Sequence, residues 1–219
     1  MKKLTIKRVI LLACIVCGMQ TIQAECYVLD DPTTVTLYGV SGATKTYNVN
    51  GPAAVLTFEA SKYWMGVSTN FTVYQTVNGV ETKVGQTGEL NKDFQAYTMN
   101  LNVNATQIKF KSAGSLNNYI RNVKVTRAKL ITSSSSQLVF NTLKVEQEQE
   151  KTTTITYSNV GNATLQLNAN TSGYFSITQG GTQGATCSAT QTVKIKYAPL
   201  LCTSGERQRH SKLTMKMEY

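Results

Sequence analysis

Apolar and polar residues alternate with a period of two along most of this 219-residue chain, and this alternation restricts its fold more than any other feature. In Tyr97–Val103 and Val193–Tyr197, every second residue is apolar. Successive side chains of a β-strand point to opposite faces, so such segments bury one face and expose the other to water. Threonine and tyrosine, which favour strands, occur 31 and 11 times. The sequence therefore predicts an all-β protein.

Turn signals separate the alternating segments about every ten residues, a spacing typical of β-sandwiches. Val77-Asn78-Gly79-Val80 predicts a two-residue hairpin turn, because Asn-Gly readily adopts the positive φ angles that this turn requires. The polar stretch Thr178–Ala189 contains three glycines and no alternation. We interpret that stretch as a loop.

The first 24 residues have the order of a secretory signal peptide. Four cations precede the apolar run Val9–Met19, and Ala24 offers a small residue at the cleavage site. Eleven helical residues span only about 16 Å, against about 30 Å for a membrane core, so this run does not predict a transmembrane helix. We expect cleavage after Ala24 and a protein that is secreted, periplasmic or on the cell surface. The alternative is a lipoprotein signal, since Leu11–Cys14 loosely matches a lipobox that would anchor the chain at Cys14.

A serine-rich run at 132–136 has nothing to bury and is interpreted as a linker. It divides the expected mature chain into residues 25–131 and residues 137–219, each of domain size. The second part contains about seven alternating segments, which favours an immunoglobulin-like sandwich. Its last segment reaches Tyr219, so either the domain closes there or the chain belongs to a longer protein.

The net charge of +10 suggests a nucleic-acid partner at first sight. Four of those charges belong to the expected signal peptide, and each half of the remainder has a net charge of +3. On the basic strand Arg121–Arg127, simple alternation places Arg121 and Arg127 on one face and Lys124 on the other. Charge this evenly spread does not predict a nucleic-acid interface.

Three cysteines, Cys26, Cys187 and Cys202, follow the expected signal peptide. An odd number over such a length does not indicate a disulfide framework. A Cys187–Cys202 bridge would have to span the strand Thr190–Tyr197, and about ten extended residues hold the two ends roughly 30 Å apart. We therefore expect three free or loosely paired thiols.

Residues 137–219 resemble the abnormal-spindle/Hydin-type immunoglobulin-like domains. The matching residues are Leu138–Phe140, Thr154–Gly161, Phe175–Ile177 and Val193–Pro199. The charged segment Gly205–His210 and the pair Phe140-Asn141 depart from the pattern of that family. The resemblance implies an immunoglobulin-like sandwich and carries no catalytic motif.

The first half resembles, more weakly, the galactose-binding-like jelly-roll modules of exported Bacteroidetes proteins. The residues that carry this resemblance are Leu56–Ala60, Phe71–Gln75 and Tyr119–Arg127. It implies a jelly-roll-like sandwich, and many modules of this kind bind glycans. Because their ligand-contacting residues vary, no site residue is transferred from the resemblance.

Candidate catalytic and zinc-binding groups are few. His210 is the only histidine, and no nucleophile motif or acidic partner accompanies it. The alternating acids Glu146, Glu148 and Glu150 are typical of a solvated face. One histidine with Cys187 and Cys202 does not provide the close ligand spacing of a zinc site. We therefore expect no enzymatic activity.

Calcium and glycan are the ligands that the sequence leaves open. Asp30 and Asp31 offer carboxylate oxygens for a calcium ion, although Asp-Asp-Pro also commonly begins a turn. Tyr63 and Trp64 are adjacent, so a strand would point them in opposite directions and expose at least one ring to a sugar. Tyr119 and Arg121 form a second candidate group for the same ligand. The alternative is that Trp64, the only tryptophan, belongs to the core.

We predict a non-catalytic, exported binding or adhesion protein whose first sandwich recognises a glycan or a cell-surface ligand. The alternative is a structural module that pairs with another protein of an envelope or secreted assembly through its sheet edges.

Overall fold

The computed structural model describes residues 26–38, 42–63, 68–114, 117–135, 138–140, 147–167, 174–198, 212–213 and 215–218. Every regular element in these ranges is a strand, which confirms the all-β prediction. The strands are β1 (Tyr27–Asp31), β2 (Val35–Leu37), β3 (Thr44–Asn48), β4 (Ala53–Lys62), β5 (Phe71–Val77), β6 (Val80–Gln86), β7 (Gln95–Asn100), β8 (Ala105–Ser112), β9 (Asn118–Arg127), β10 (Leu130–Ser133), β11 (Leu138–Val139), β12 (Gln149–Val160), β13 (Ala163–Leu167), β14 (Phe175–Gln179), β15 (Thr182–Gln183), β16 (Thr186–Tyr197), β17 (Lys212–Leu213) and β18 (Met215–Glu218).

Strands β1 to β9 form two antiparallel sheets that pack face to face. Sheet A has the order β1-β9-β4-β7, and β2 also pairs with β9. Sheet B has the order β3-β8-β5-β6. Phe58 on β4 meets Phe110 on β8 with the ring centroids 4.8 Å apart, and both rings are buried. The alternating apolar residues of the two sheets thus share one core, as in a β-sandwich.

The predicted hairpin turn joins β5 to β6. Asn78 and Gly79 have φ angles of 52° and 79°, and Val77 pairs with Val80 across the turn. Two positive φ angles in a row give the backbone a twist that matches the twist of the flanking strands. The Asn-Gly prediction is confirmed.

The later strands enclose a second, separate core. One sheet has the order β10-β12-β16-β14, a second has the order β15-β13-β18, and β11 pairs with β17. Phe140 and Phe175 meet at 5.3 Å between ring centroids, and Phe175 stacks on Tyr197 at 4.9 Å. The buried residues of this core lie between Leu138 and Tyr197, as the alternating pattern predicts.

The prediction of a loop over Thr178–Ala189 was wrong. Within it lie the end of β14, all of β15 and the beginning of β16. The first half of β16 pairs with β12, with Ser188 opposite Ser158 and Thr190 opposite Thr156. Both strands carry polar residues here, so the sequence shows no alternation of apolar and polar residues. The strand forms through backbone hydrogen bonds to β12, which the sequence pattern does not indicate.

The predicted linker 132–136 is also partly a strand. Thr132 and Ser133 belong to β10, in which Thr132 lies opposite Thr156 and Ser133 opposite Ile155. The Ser133 and Thr153 hydroxyl oxygens lie 2.9 Å apart. The hydroxyl groups that suggested a solvated linker therefore bond to the neighbouring strand.

A disulfide joins Cys26 to Cys187, so the expectation of three free or loosely paired thiols was wrong for these two residues. Their Cα atoms lie 5.4 Å apart although they are 161 residues apart in sequence. Cys26 precedes β1, and Cys187 lies near the beginning of β16. Only the fold brings them together, since cysteines this far apart in sequence cannot be paired from their spacing along the chain.

Two side-chain hydrogen bonds join the same parts of the molecule. The Asn159 amide nitrogen donates to the carbonyl oxygen of Arg127 at 2.6 Å. The Ser158 hydroxyl donates to the carbonyl oxygen of Ala128 at 2.9 Å. The end of β9 is thus attached to β12 by hydrogen bonds, while the beginning of β1 is attached to β16 covalently.

The predicted signal peptide 1–24, with its alternative lipid site Cys14, lies outside the described residues. So do Cys202 and His210. Within the described ranges, no helix is long and apolar enough to cross a membrane.

Candidate functional site

Three tyrosines lie where β9 begins, at one end of sheet A. Strand β9 lies between β2 and β4, and its first residue, Asn118, pairs with Leu37 on one side and Lys62 on the other. Tyr38 and Tyr63 are the next residues after these two partners, and their exposed fractions are 71% and 54%. Exposed tyrosines therefore flank β9 on both sides. Together with Tyr119 they form what we call the tyrosine end.

Tyr119 lies between the two exposed tyrosines on the outer face of sheet A. Its neighbours on β9, Asn118 and Ile120, are fully buried, so alternation directs the Tyr119 ring away from the core. The rings of Tyr63 and Tyr119 lie 6.4 Å apart between centroids, tilted by 58°. This arrangement leaves two ring faces beside one another at the surface.

Arg121 continues the same face and is held by two partners. Its Nε donates a hydrogen bond of 2.6 Å to the Glu59 carboxylate on β4. Its guanidinium lies 3.8 Å from the centroid of the Phe94 ring, a cation–π contact. The side chain is therefore oriented in advance, and its remaining N–H groups are donors for a ligand.

The contact with Arg121 lowers the pKa of the Glu59 carboxyl below its ordinary value. The hydrogen bond from Arg121 is the main cause, and a hydrogen bond from Asn122 adds to it. Both bonds favour the charged form. At neutral pH the site therefore presents an ionised acid next to a guanidinium.

A β-bulge at Asn122 places Lys124 on the same face as Arg121. Asn122 has a φ of 51°, and the register between β4 and β9 shifts between Thr57 and Glu59. Between these two pairs, β9 contains one residue more than β4. Alternation therefore resumes after the bulge with Lys124 on the outer face, where it pairs with Asp30 of β1. The sequence prediction that Lys124 faces away from Arg121 was wrong, because simple alternation does not include the bulge.

A buried polar network supports the tyrosine end from below. Asn118 is fully buried, and its side-chain amide donates to the Thr69 hydroxyl at 2.9 Å and to the Ser112 hydroxyl at 2.6 Å. The Tyr63 backbone N–H donates to the Asn117 carbonyl at 3.0 Å. These bonds fix the start of β9 relative to the segments on each side.

Of the predicted ligand residues, the structure brings Tyr63, Tyr119 and Arg121 together on one face. Trp64 lies outside the described residues. Three further residues of this surface, Tyr38, Glu59 and Phe94, were not predicted as site residues. The register of β2 and β4 against β9 places Tyr38 and Glu59 there, and Phe94, just before β7, joins them through its contact with Arg121. Short-range sequence patterns do not give the pairing of strands separated by about 60 residues.

The predicted calcium ligands Asp30 and Asp31 are neighbours on β1, and each already has a partner. The Asp30 carboxylate lies 3.7 Å from the Lys124 amino group. The Asp31 carboxylate accepts hydrogen bonds from the Thr33 N–H at 2.9 Å and the Thr33 hydroxyl at 2.6 Å. These bonds, above all the one from the hydroxyl, lower the pKa of Asp31. The Asp31–Thr33 bonds are those of a turn, which is the alternative to a calcium site that the sequence left open, and they do not bring the two carboxylates together.

Among the described residues, no group of three or more histidine, cysteine, aspartate or glutamate side chains could hold a metal ion. The chemistry of the tyrosine end is that of recognition: ring faces for apolar contact, and a fixed guanidinium and carboxylate for hydrogen bonds.

No protein-family model matches the chain, and no curated protein matches its sequence.

Several solved structures that are or contain carbohydrate-binding modules show partial similarity to this chain. One is a mutant of a family 29 module complexed with cellohexaose, and its sequence is 10% identical to this chain. The match covers 42% of this chain and 69% of the module, with a TM-score of 0.36. A family 22 module with xylanase from Clostridium thermocellum, complexed with xylohexaose, is 9% identical over 47% of this chain and 28% of that one (TM-score 0.34). A family 6 module from Zobellia galactanivorans is 14% identical over 47% and 95% of the two chains (TM-score 0.32).

The evidence for function is therefore the set of side chains at the tyrosine end. The comparisons give no support to the resemblance of residues 137–219 to Hydin-type domains.

Proposed function

We propose that the chain is a non-catalytic glycan-binding protein and that the tyrosine end, extended by Arg121, is its binding surface. The observation that carries this proposal is the pairing of Tyr63 and Tyr119 next to a guanidinium that Glu59 and Phe94 hold in place. Sugar rings have apolar C–H faces and a rim of hydroxyl groups. Aromatic rings stack on the faces, while oriented polar groups pair with the hydroxyls.

The charge of this surface favours a neutral sugar. Arg121 is balanced by Glu59, and Lys124 further along the face is balanced by Asp30. A charged ligand would have to compete with these ion pairs. The hydroxyl groups of a neutral sugar can instead bond to the N–H groups and carboxylate oxygens that the ion pairs leave available.

Cellohexaose and xylohexaose, the oligosaccharides in two of the structures above, serve as first probes. Calorimetric titration of the intact protein should detect binding of at least one neutral hexasaccharide. Replacing Tyr63 or Tyr119 by alanine should weaken that binding about fivefold each, because a stacking contact contributes about 1 kcal/mol.

Val80→Ala is the matched control, since Val80 is an exposed apolar residue at the β5–β6 turn, on sheet B. Equal affinity of the two tyrosine variants and the parent protein would contradict the proposal. So would a complete lack of response on a broad array of neutral glycans.

We propose in addition that the protein is exported, and that residues 137–219 form an immunoglobulin-like module which positions the first sandwich. The attachment of β9 to β12 and of Cys26 to Cys187 supports a positioning role. The alternative, a structural module that binds an envelope protein, would gain support if the tyrosine variants lost such a partner and bound glycans normally.

A further inference from the structure

The outer face of sheet B differs in charge from the face that carries the tyrosine end. Its centre is Tyr74 on β5, which pairs with Lys109 of β8 on one side and with Lys83 of β6 on the other. Lys111 lies on the same face as Lys109, two residues further along β8. Three lysines therefore surround one tyrosine on this face.

Hydrogen-bonding side chains fill the rest of the face. The rows of paired residues above and below Tyr74 contain threonine, asparagine and glutamine, with one acid, Glu81. Three rows across four strands make a flat polar patch about 14 Å on each side. A surface of this kind can form hydrogen bonds along an extended ligand, but it offers little apolar area apart from the Tyr74 ring.

The positive charges are only partly neutralised. Lys109 forms an ion pair with Glu81 and also lies 5.4 Å from the centroid of the Tyr74 ring. The Lys83 amino group donates to the neutral Gln86 side chain at 3.2 Å. The patch has a net charge of +2, which concentrates anions at its surface.

We infer that this face is a second binding site, specific for an acidic polysaccharide such as a polyuronate. The carboxylates along such a chain would pair with Lys83 and Lys111, and a sugar ring would stack on Tyr74 between them. The tyrosine end cannot serve the same ligand, because its cations are already balanced by Glu59 and Asp30. The two sheets of one sandwich would thus recognise two different classes of glycan.

The test is binding of a galacturonate hexamer to the intact protein, measured by calorimetry at low salt. The double variant Lys83→Gln/Lys111→Gln should weaken binding about tenfold. Tyr74→Ala should weaken it about fivefold. The matched control is Lys92→Gln/Lys129→Gln, which removes the same charge from exposed lysines outside the patch and should keep the parent affinity.

Raising the salt concentration to about 0.5 M should nearly abolish this binding, since the pairs are exposed and screened. A saturating neutral hexasaccharide should not displace the galacturonate hexamer, because the two ligands occupy opposite sheets. An equal loss in both double variants, or displacement by the neutral sugar, would overturn the inference. Tighter binding of a single-stranded DNA of the same charge would overturn it too, by showing a general polyanion surface. A failure of neutral glycans to bind would leave this result unaffected and would count only against the proposed function.

Discussion

Arg121 is the residue on which the chemistry of the tyrosine end depends most. Its guanidinium is fixed by a carboxylate on β4 and by the ring of Phe94, the residue just before β7. A free arginine would lose considerable rotational freedom when it bound a ligand, whereas Arg121 has lost most of it already. The sequence predicted Arg121 as a candidate from its proximity to Tyr119. It did not predict the two partners, since both lie more than 25 residues away in sequence and come from different segments of the chain.

Glu59 determines how the stability of this site and its glycan binding depend on pH in the acidic range. Its pKa is lowered from the ordinary 4.5, so the folded chain keeps the carboxylate charged at a pH where the unfolded chain binds a proton. The contribution to stability is therefore full above about pH 4.5 and is lost as the pH falls through the lowered value. We expect glycan binding to decline in that same acidic window, as measured by titration calorimetry between pH 3 and pH 7.

Glu59→Gln is the variant that tests this explanation. Glutamine retains a hydrogen-bond acceptor for Arg121 but has no proton to gain, so the acidic decline should disappear. An unchanged pH profile in this variant would assign the decline to another group.

At the scale of elements, the bulge in β9 decides which side chains share a face. Alternation along Arg121–Arg127 is simple in the sequence, and it predicts Arg121 and Lys124 on opposite faces. Asn122 adds one residue opposite β4 and reverses that result. Strands and the Asn-Gly turn were predictable because they depend on neighbouring residues, but a bulge depends on the partner strand as well.

Asn122 should tolerate glycine better than valine. A φ of 51° is easily adopted by glycine and is strained for a β-branched side chain. We expect Asn122→Val to lower the free energy of unfolding by about 1–3 kcal/mol and to weaken glycan binding, because Arg121 is displaced from Glu59. Chemical denaturation and calorimetry measure the two effects. Asn122→Gly is the control, and equal losses in both variants would show that the φ angle is not the cause.

At the scale of the whole molecule, the Cys26–Cys187 disulfide is the feature that departs most from the sequence prediction. Counting three cysteines argued against a framework, but a single bridge needs only two of them. The beginning of β16 is polar, so the sequence pattern did not show that Cys187 lies in a strand. Its partner, Cys26, is the first described residue, 161 positions earlier in the sequence. Pairing of this kind follows from tertiary structure alone.

Removing the disulfide should destabilise the protein considerably. Cross-linking residues 161 apart restricts the unfolded chain, and the chain-entropy model gives about 5 kcal/mol for a loop of this length. We expect Cys26→Ser/Cys187→Ser to lower the melting temperature and to separate the unfolding of the two cores into two calorimetric transitions. A reductant should have the same effect on the parent protein and no effect on the double variant. A single unshifted transition in the variant would contradict this.

The same bridge determines how the molecule carries mechanical load. Tension applied at Cys26 and at the C-terminal end passes through the sulfur atoms directly into β16, and the residues between the two cysteines carry none of it. The proposed binding faces of sheets A and B lie within this unloaded segment. Stretching the oxidised protein would leave them folded, and reduction would release about 550 Å of additional contour length. A glycan held on these faces would therefore stay bound while the chain is pulled.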